Sequence, residues 1–371
     1  MNRWLSLDVF RGITIALMIV VNSPGMLMAG HVNTYSWLQH SVWNGCTLAD
    51  LVFPFFVFII GVSLVFSLSK SLALGVSRNQ LALKVLKRSL IIFSIGLLLN
   101  AIPDHFNYST LRVFGVLQRL AICYYVAAML FLSTSTRSQV LLTISLLVGY
   151  WFMLTMFPVP GYGINNLSQE GNLPAYIDRM LFSSAHLYGK IFDPEGALST
   201  LPAIATTLLG NLTGIWLMTN GNHQKKLTGI MIAAPLALIT GWVWGLWFPI
   251  NKALWTSSYV LVTGGLALLL LSLCIWLIEI RQWKYWARPF EIFGMNAIAA
   301  YVLHIVLLRI QAKIYLPRID GSPGNLRIYI AEHLFGWTSA QNASLLYALS
   351  YASFLLIIFA VLYRHKIFIK I

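Results

Sequence analysis

Within HSVWNGCTLADLVFPFFVFIIG, residues His40 to Gly61, a histidine, an asparagine and an aspartate stand at the mouth of a strongly apolar run. His40 and Asn44 are four apart and Asp50 follows a turn and a half on, so a helical approach to the run would place the first two on one face. A neutral imidazole at such a spot accepts a proton near pH 7, and a neighbouring amide or hydroxyl stabilises a developing oxyanion. The same residues also suit a histidine on a wet loop followed by a helix cap, and spacing alone leaves both readings open.

Further polar groups interrupt other apolar runs. Asn22, followed by Ser23 and Pro24, puts an amide and a lost backbone hydrogen bond near the end of the first run, either as an interhelical hydrogen bond or as a substrate contact. Asp193 in DPEG reads as an N-cap with proline at the first helical position, which leaves Glu195 only partly explained. The two acids could also hold a cationic amino sugar. LDVFRG and FGVLQRL bring Asp8, Arg11, Gln118 and Arg119 to or within run ends, and Arg11 suits anionic lipid or a phosphate-bearing ligand. Arg119 falls inside the fourth run, where an arginine calls for a carboxylate or ligand. In GMNAIAAYVLH, Asn296, Ala300 and His304 recur every four residues and predict one polar helical stripe, facing a ligand cavity or a hydrogen-bonded core.

The elements that must position these groups are membrane helices. The 371 residues are 58% hydrophobic and 10% charged, and the apolar runs are long enough to cross a bilayer, which takes about 20 residues each. Ten are predicted, at about residues 12–29, 48–68, 88–103, 113–132, 139–157, 198–218, 227–248, 257–279, 291–311 and 344–363. The expected fold is therefore all-α, a polytopic bundle of about ten transmembrane helices forming a single domain over 1–371. The net charge of +14 reports orientation rather than nucleic acid, because most lysines and arginines, from Arg3 and Arg11 through Lys70, Arg88 and Arg288 to Lys370, gather on the side of the N-terminus. Asp50, Asp104, Glu170, Asp178, Asp193, Glu195, Asp320 and Glu332 fall on the other side, so both termini are predicted cytoplasmic and His40, Asp193, Glu195 and Asn251 share the outer face.

Two longer outer segments, 158–197 and 312–342, have the Gly, Pro and Asn content of ordered turns and are candidate lids. GNLTG and GWVWG space glycines for close helix approach, and Trp37, Trp43, Trp247, Trp255, Trp283, Trp286 and Trp337 read as interfacial anchors. Cys46, Cys123 and Cys274 show no disulfide framework. There is no H-E-x-x-H, no G-x-S-x-G elbow, no P-loop and no Rossmann fingerprint, which removes most support for hydrolase and ATPase readings.

HSVWNGCTLADLVFPFFVFIIG, LDVFRG, FGVLQRL, DPEGALST, FPINKALWTSSYV and GMNAIAAYVLH, with a closing KIFIKI, together resemble heparan-alpha-glucosaminide N-acetyltransferase and its bacterial relatives over nearly the whole chain. The resemblance implies a transmembrane enzyme that takes an acetyl group from cytosolic acetyl-CoA and delivers it to a glucosamine amine on the opposite side. By motif it makes His40 the catalytic histidine and matches Asn22, and Asn44 and Asp50 join them as catalytic candidates on their placement near His40. Asp193, Glu195, Asn251, Lys252, Trp255, Asn296 and His304 are the expected acceptor contacts. Arg11, Arg88, Gln118 and Arg119 are those expected for coenzyme A, on charge alone for the arginines. The chain looks like the bacterial form, which implies an inner-membrane location with a periplasmic acceptor, membrane lipid around it and a homodimer as in the family. An amino-sugar permease lined by Asn296 and His304, or an O-acyltransferase acting on a glycan, is the alternative.

Overall fold

Inside a bilayer no water is available to the backbone, so long apolar runs close their own hydrogen bonds as helix. The computed structural model describes residues 4–24, 34–103 and 106–369, whose regular secondary structure is almost all helix. Thirteen α-helices follow one another: α1 (Leu5–Asn22), α2 (Leu48–Ala73), α3 (Arg78–Ala101), α4 (Val116–Ser133), α5 (Thr136–Met156), α6 (Leu173–Phe182), α7 (Thr200–Met218), α8 (His223–Trp244), α9 (Ser257–Ile275), α10 (Arg288–Met295), α11 (Ala297–Lys313), α12 (Leu326–Phe335) and α13 (Ala340–Arg364). Strands β1 (Tyr315–Pro317) and β2 (Pro323–Asn325) form an antiparallel hairpin between α11 and α12.

Among the described residues eight helices are long and apolar enough to cross a membrane, with a ninth if α10 and α11, bent by 75° at their junction, count as one span. The chain is an all-α, polytopic integral membrane protein. Of the ten expected runs, the third coincides with α3, whose first half carries Arg78, Lys84, Lys87 and Arg88 and leaves an apolar remainder shorter than a full span. The helix starts are written locally. Ser77 and Gln80 form a reciprocal capping box on α3, and Asn172 and Asn222 cap α6 and α8 through their side chains.

The chain divides into two compact units. The first comprises residues 42–46 and 53–276 and holds α3 to α9 with most of α2. Its helices approach closely through small residues. A Cβ added to Gly210 of α7 would overlap the carbonyl oxygen of Phe58 on α2, and one on Gly241 of α8 would press on the Ser258 carbonyl of α9. GNLTG and the first glycine of GWVWG are thus packing residues. The segment 158–197 contains α6 and short turns, including the bridge of Val159 with Gly163.

The second unit comprises residues 4–41, 47–52 and 277–371 and holds α1, the start of α2, α10 to α13 and the hairpin. Gly12 of α1 and Gly294 of α10 let the two backbones touch, each standing where a Cβ would strike the other helix's carbonyl, at Phe290 and Asp8. Arg3, Asp104 and Lys370, used above for orientation, and the end of the first predicted run lie outside the described residues.

Candidate active site

Asp50 is at the third position of α2 and is completely buried, yet its carboxylate is saturated. Its Oδ1 lies 2.8 Å from Nδ1 of His40. Its Oδ2 accepts from the N–H and hydroxyl of Ser41, at 3.0 and 2.8 Å, and from the N–H and hydroxyl of Thr47, both at 3.1 Å. The start of a helix, with its outward N–H groups, favours a carboxylate there. His40 itself keeps 51% of its side-chain surface exposed. A donated Nδ1–H leaves Nε2 as the basic nitrogen, so this is an imidazole held in one orientation by a buried acid. The approach to α2 is not helical as the four-residue spacing suggested. Residues 39–47 are loop, and His40 and Asn44 share no helix face. The reason is that Asp50 folds the loop back onto itself through Ser41 and Thr47, satisfying backbone N–H groups that a helix would have used.

In the first unit, Asn44 is exposed and its Oδ1 accepts from Nδ2 of the buried Asn251 at 3.0 Å. That contact uses the amide oxygen of Asn44 as the acceptor. Asn251 spends its other groups on its own turn, with Oδ1 accepting from the Leu254 N–H at 2.8 Å and its N–H donating to Thr256 Oγ1 at 3.0 Å. The turn ends on Trp255, a bulky side chain at φ 53°, in the left-handed region such residues avoid. Trp255 is no interfacial anchor: it is 1% exposed, its indole N–H donates to Thr206 Oγ1 at 3.1 Å, and its ring meets Phe53 and Tyr259 edge-on. Lys252 in the same turn is half-buried.

Asp193 does not cap a helix. The helix α7 starts later, after Ser199, and Asp193 instead receives both arms of Arg112, at 2.7 and 2.6 Å, while Arg112 also bonds Glu195. Burial works against the charge of Arg112, but the hydrogen bond to Asp193 and the charges of Glu195 and Asp193 outweigh it and hold its pKa above the ordinary range. Arg112 is the partner that sequence reasoning missed. The signal was present as two acids in DPEG with no nearby cation. Asp178 of α6 stands under the same turn, with Oδ1 accepting from the Ala197 N–H at 2.8 Å. Burial, with some repulsion from Asp193, pushes its pKa up to about 6 despite that hydrogen bond.

Arg119, in the first turn of α4, is fully buried and answers no carboxylate directly. Its Nη2 donates to Ser199 Oγ and, at 3.2 Å, to the Gly196 carbonyl, and its guanidinium lies 5.0 Å from the Trp255 ring centre, while Nε and Nη1 have no hydrogen-bond partner. Gln118 beside it is buried against Gly96, with Nε2 likewise unpartnered. Arg88 of α3 lies over Tyr124 at 5.1 Å.

The remaining candidates belong to the second unit. Asn22 is the half-buried last residue of α1. Arg11 bonds Asp8 at 3.2 Å and the Gly294 carbonyl at 3.0 Å, which ties α1 to α10. The expected polar stripe is broken at its first member: Asn296 is the hinge between α10 and α11, and only Ala300 and His304 ride on α11. Its amide is consumed by the chain's last described stretch, donating to the Ile367 carbonyl at 3.2 Å and accepting from the Ile369 N–H at 2.8 Å. His304 is buried, and neither ring nitrogen has a partner.

Apolar helices of membrane-crossing length define a polytopic membrane protein, and a buried acid holds the His40 imidazole in the loop leading into one of them. The family model for the catalytic part of heparan-alpha-glucosaminide N-acetyltransferase matches residues 3–248. The heparan-alpha-glucosaminide N-acetyltransferases of Mus musculus and Homo sapiens are each 32% identical to the chain, over 365 and 367 residues, covering 82% of it and 54% and 53% of themselves. The chain belongs to the heparan-alpha-glucosaminide N-acetyltransferase family, and it spans about half the length of the curated relatives it matches.

Proposed function

We propose that residues 1–371 act as a single membrane acetyltransferase, moving an acetyl group from acetyl-CoA to the amine of a glucosamine-type sugar. The observation that carries this reading is the half-exposed His40 with its Nδ1 held at 2.8 Å by the buried Asp50. In the reaction the amine nitrogen attacks the thioester carbonyl carbon, the C–N bond forms and the C–S bond breaks. Nε2 of His40 removes the amine proton and returns it to the departing sulfur, so that coenzyme A leaves as its thiol. Asn22 or Asn44 is the candidate donor for the oxyanion.

Arg11, Arg88, Gln118 and Arg119 are the groups proposed for coenzyme A. The orphan N–H groups of Arg119 and Gln118 are the best supported of these, since a buried donor without a partner is costly unless a ligand accepts from it. Asp193, Glu195, Asn251, Lys252, Trp255, Asn296 and His304 are proposed for the acceptor side. Asp193, Glu195 and Asn296 enter with their polar atoms already engaged by Arg112 and by the 367–369 backbone, so their part is to shape the site rather than to touch the sugar. The charge distribution supports cytoplasmic termini, which in a bacterial inner membrane puts the acceptor in the periplasm.

The test is transfer from labelled acetyl-CoA to glucosamine by the purified protein, wild type beside His40→Ala. Loss of about 10²-fold or more on removing a general base is expected. Transfer that survives His40→Ala would sink the assignment, and ping-pong kinetics would show that the acetyl group rests on the imidazole between two half-reactions.

A further inference from the structure

The second unit carries a buried cation that nothing in the acetyl-transfer reading uses. Arg327, in the first turn of α12, is 5% exposed. Its backbone N–H is capped by Asn325, but its guanidinium makes no hydrogen bond, and Nε and Nη1 are sealed from solvent without a partner. Among the described residues no carboxylate pairs with it. Glu332, on the same helix, is committed to Arg318, whose Nε donates to it at 2.8 Å. The helix α12 packs on α13, whose phenols Tyr347 and Tyr351 are the groups close enough to act electrostatically on the guanidinium. Those phenols donate elsewhere, Tyr347 to Gln311 Oε1 at 2.7 Å and Tyr351 to the His304 carbonyl at 2.9 Å, so their oxygens stay oriented and do not neutralise the charge.

A planar fork of N–H donors, desolvated and unpaired, is costly to bury unless a ligand with two or more anionic oxygens completes it. The surroundings indicate where such a ligand comes from. The strand β1 packs beside α12, with the Leu326 N–H donating to the Ile314 carbonyl at 2.9 Å, and Ile314, Tyr315, Leu334 and Trp337 in this region are all exposed, Tyr315 and Trp337 by about four-fifths. Exposed aromatic and aliphatic side chains around a cation are the signature of the bilayer interface, where the abundant oxyanion is phosphate.

We propose that Arg327 anchors a phosphate-binding site on the second unit, formed with Tyr347 and Tyr351 and separate from the groups assigned to acetyl transfer. The phosphate is that of a lipid headgroup or of a soluble phosphate ester, and the experiment distinguishes them. Binding of short-chain phosphatidylglycerol and of glycerol 3-phosphate to the full chain in an uncharged detergent is measured for the wild type, Arg327→Met and Arg327→Lys. The expected result is affinity at least tenfold weaker in Arg327→Met and intermediate in Arg327→Lys, which keeps the charge but loses the fork. Binding of phosphatidylglycerol alone identifies a lipid site, and binding of both probes a site for the phosphate itself. A second readout guards against a purely architectural role: without either probe, Arg327→Met is expected to melt no lower than the wild type, since methionine fills the space without orphan donors. Failure of both probes to bind the wild type, equal binding by Arg327→Met, or an Arg327→Met protein that melts well below the wild type would each overturn the proposal.

Discussion

Replacing Arg112 by methionine removes the cation shared by Asp193 and Glu195. Those residues are 2% and 8% exposed, and after the substitution Asp193 retains only the N–H groups of Tyr188 and Glu195, at 3.2 and 2.9 Å. The guanidinium also lies over the Tyr188 ring at 4.8 Å, so a packing contact goes with the charge. Breaking a buried pair by deleting one partner costs about 3–5 kcal/mol, because the remaining charge is stranded. Taking roughly 2 °C per kcal/mol for a chain of this size, the melting temperature should fall by about 6–10 °C. Cys123 and Cys274, each 1% exposed, provide the assay, since a thiol-reactive fluorophore reaches them only on unfolding. The informative comparison is Arg112→Met/Asp193→Asn/Glu195→Gln. If stranded charge is the cause, this triple variant recovers most of the lost stability. A triple variant no more stable than Arg112→Met would refute the electrostatic argument and leave shape as the cause.

Three further outcomes are expected. Asp50→Asn should lower acetyl transfer by about 10²-fold or more, because an amide can present its N–H2 to Nδ1 and select the wrong tautomer; a steady-state assay with the Michaelis constant for acetyl-CoA unchanged checks this. Asp178 has a folded pKa of about 6 against an ordinary value near 4, so the folded state holds the extra proton between them and stability declines as pH rises through that window, by up to about 3 kcal/mol, levelling above it. Melting curves from pH 4 to 8 should show that decline in the wild type and a flat profile in Asp178→Asn. Asn296→Ala should free the 367–369 stretch, read as faster amide exchange at Ile369, whose N–H donates to Asn296 at 2.8 Å; unchanged exchange would show that the tail is held by other contacts.

The helices were readable from sequence because apolar length, a local property, dictates span, whereas the fold-back of the His40 loop onto Asp50 was not. What escaped depended on partners remote in the chain. Arg112 meets Asp193 across 81 positions, and no local pattern distinguishes an acid that caps a helix from one that receives a distant guanidinium. The four-residue spacing of His40 and Asn44, like that of Asn296 and Ala300, suggested helical faces that side-chain hydrogen bonds then dissolved, at a carboxylate in one case and a hinge amide in the other. Trp255 reads as an anchor by type and position, and only the left-handed turn that buries it says otherwise.

The hinge at Asn296 also constrains how the protein is made. Its amide is satisfied by backbone groups 71 and 73 positions downstream, which a ribosome delivers only after α11, α12 and α13 have been synthesised. Until then the bend between α10 and α11 leaves a polar side chain unpaired, at a cost that a straight, continuous helix would avoid. The nascent chain should therefore cross the insertion machinery with this pair in a different arrangement. The bent form should be set only when residues 367–369 dock, so that stretch would act as a latch for the second unit.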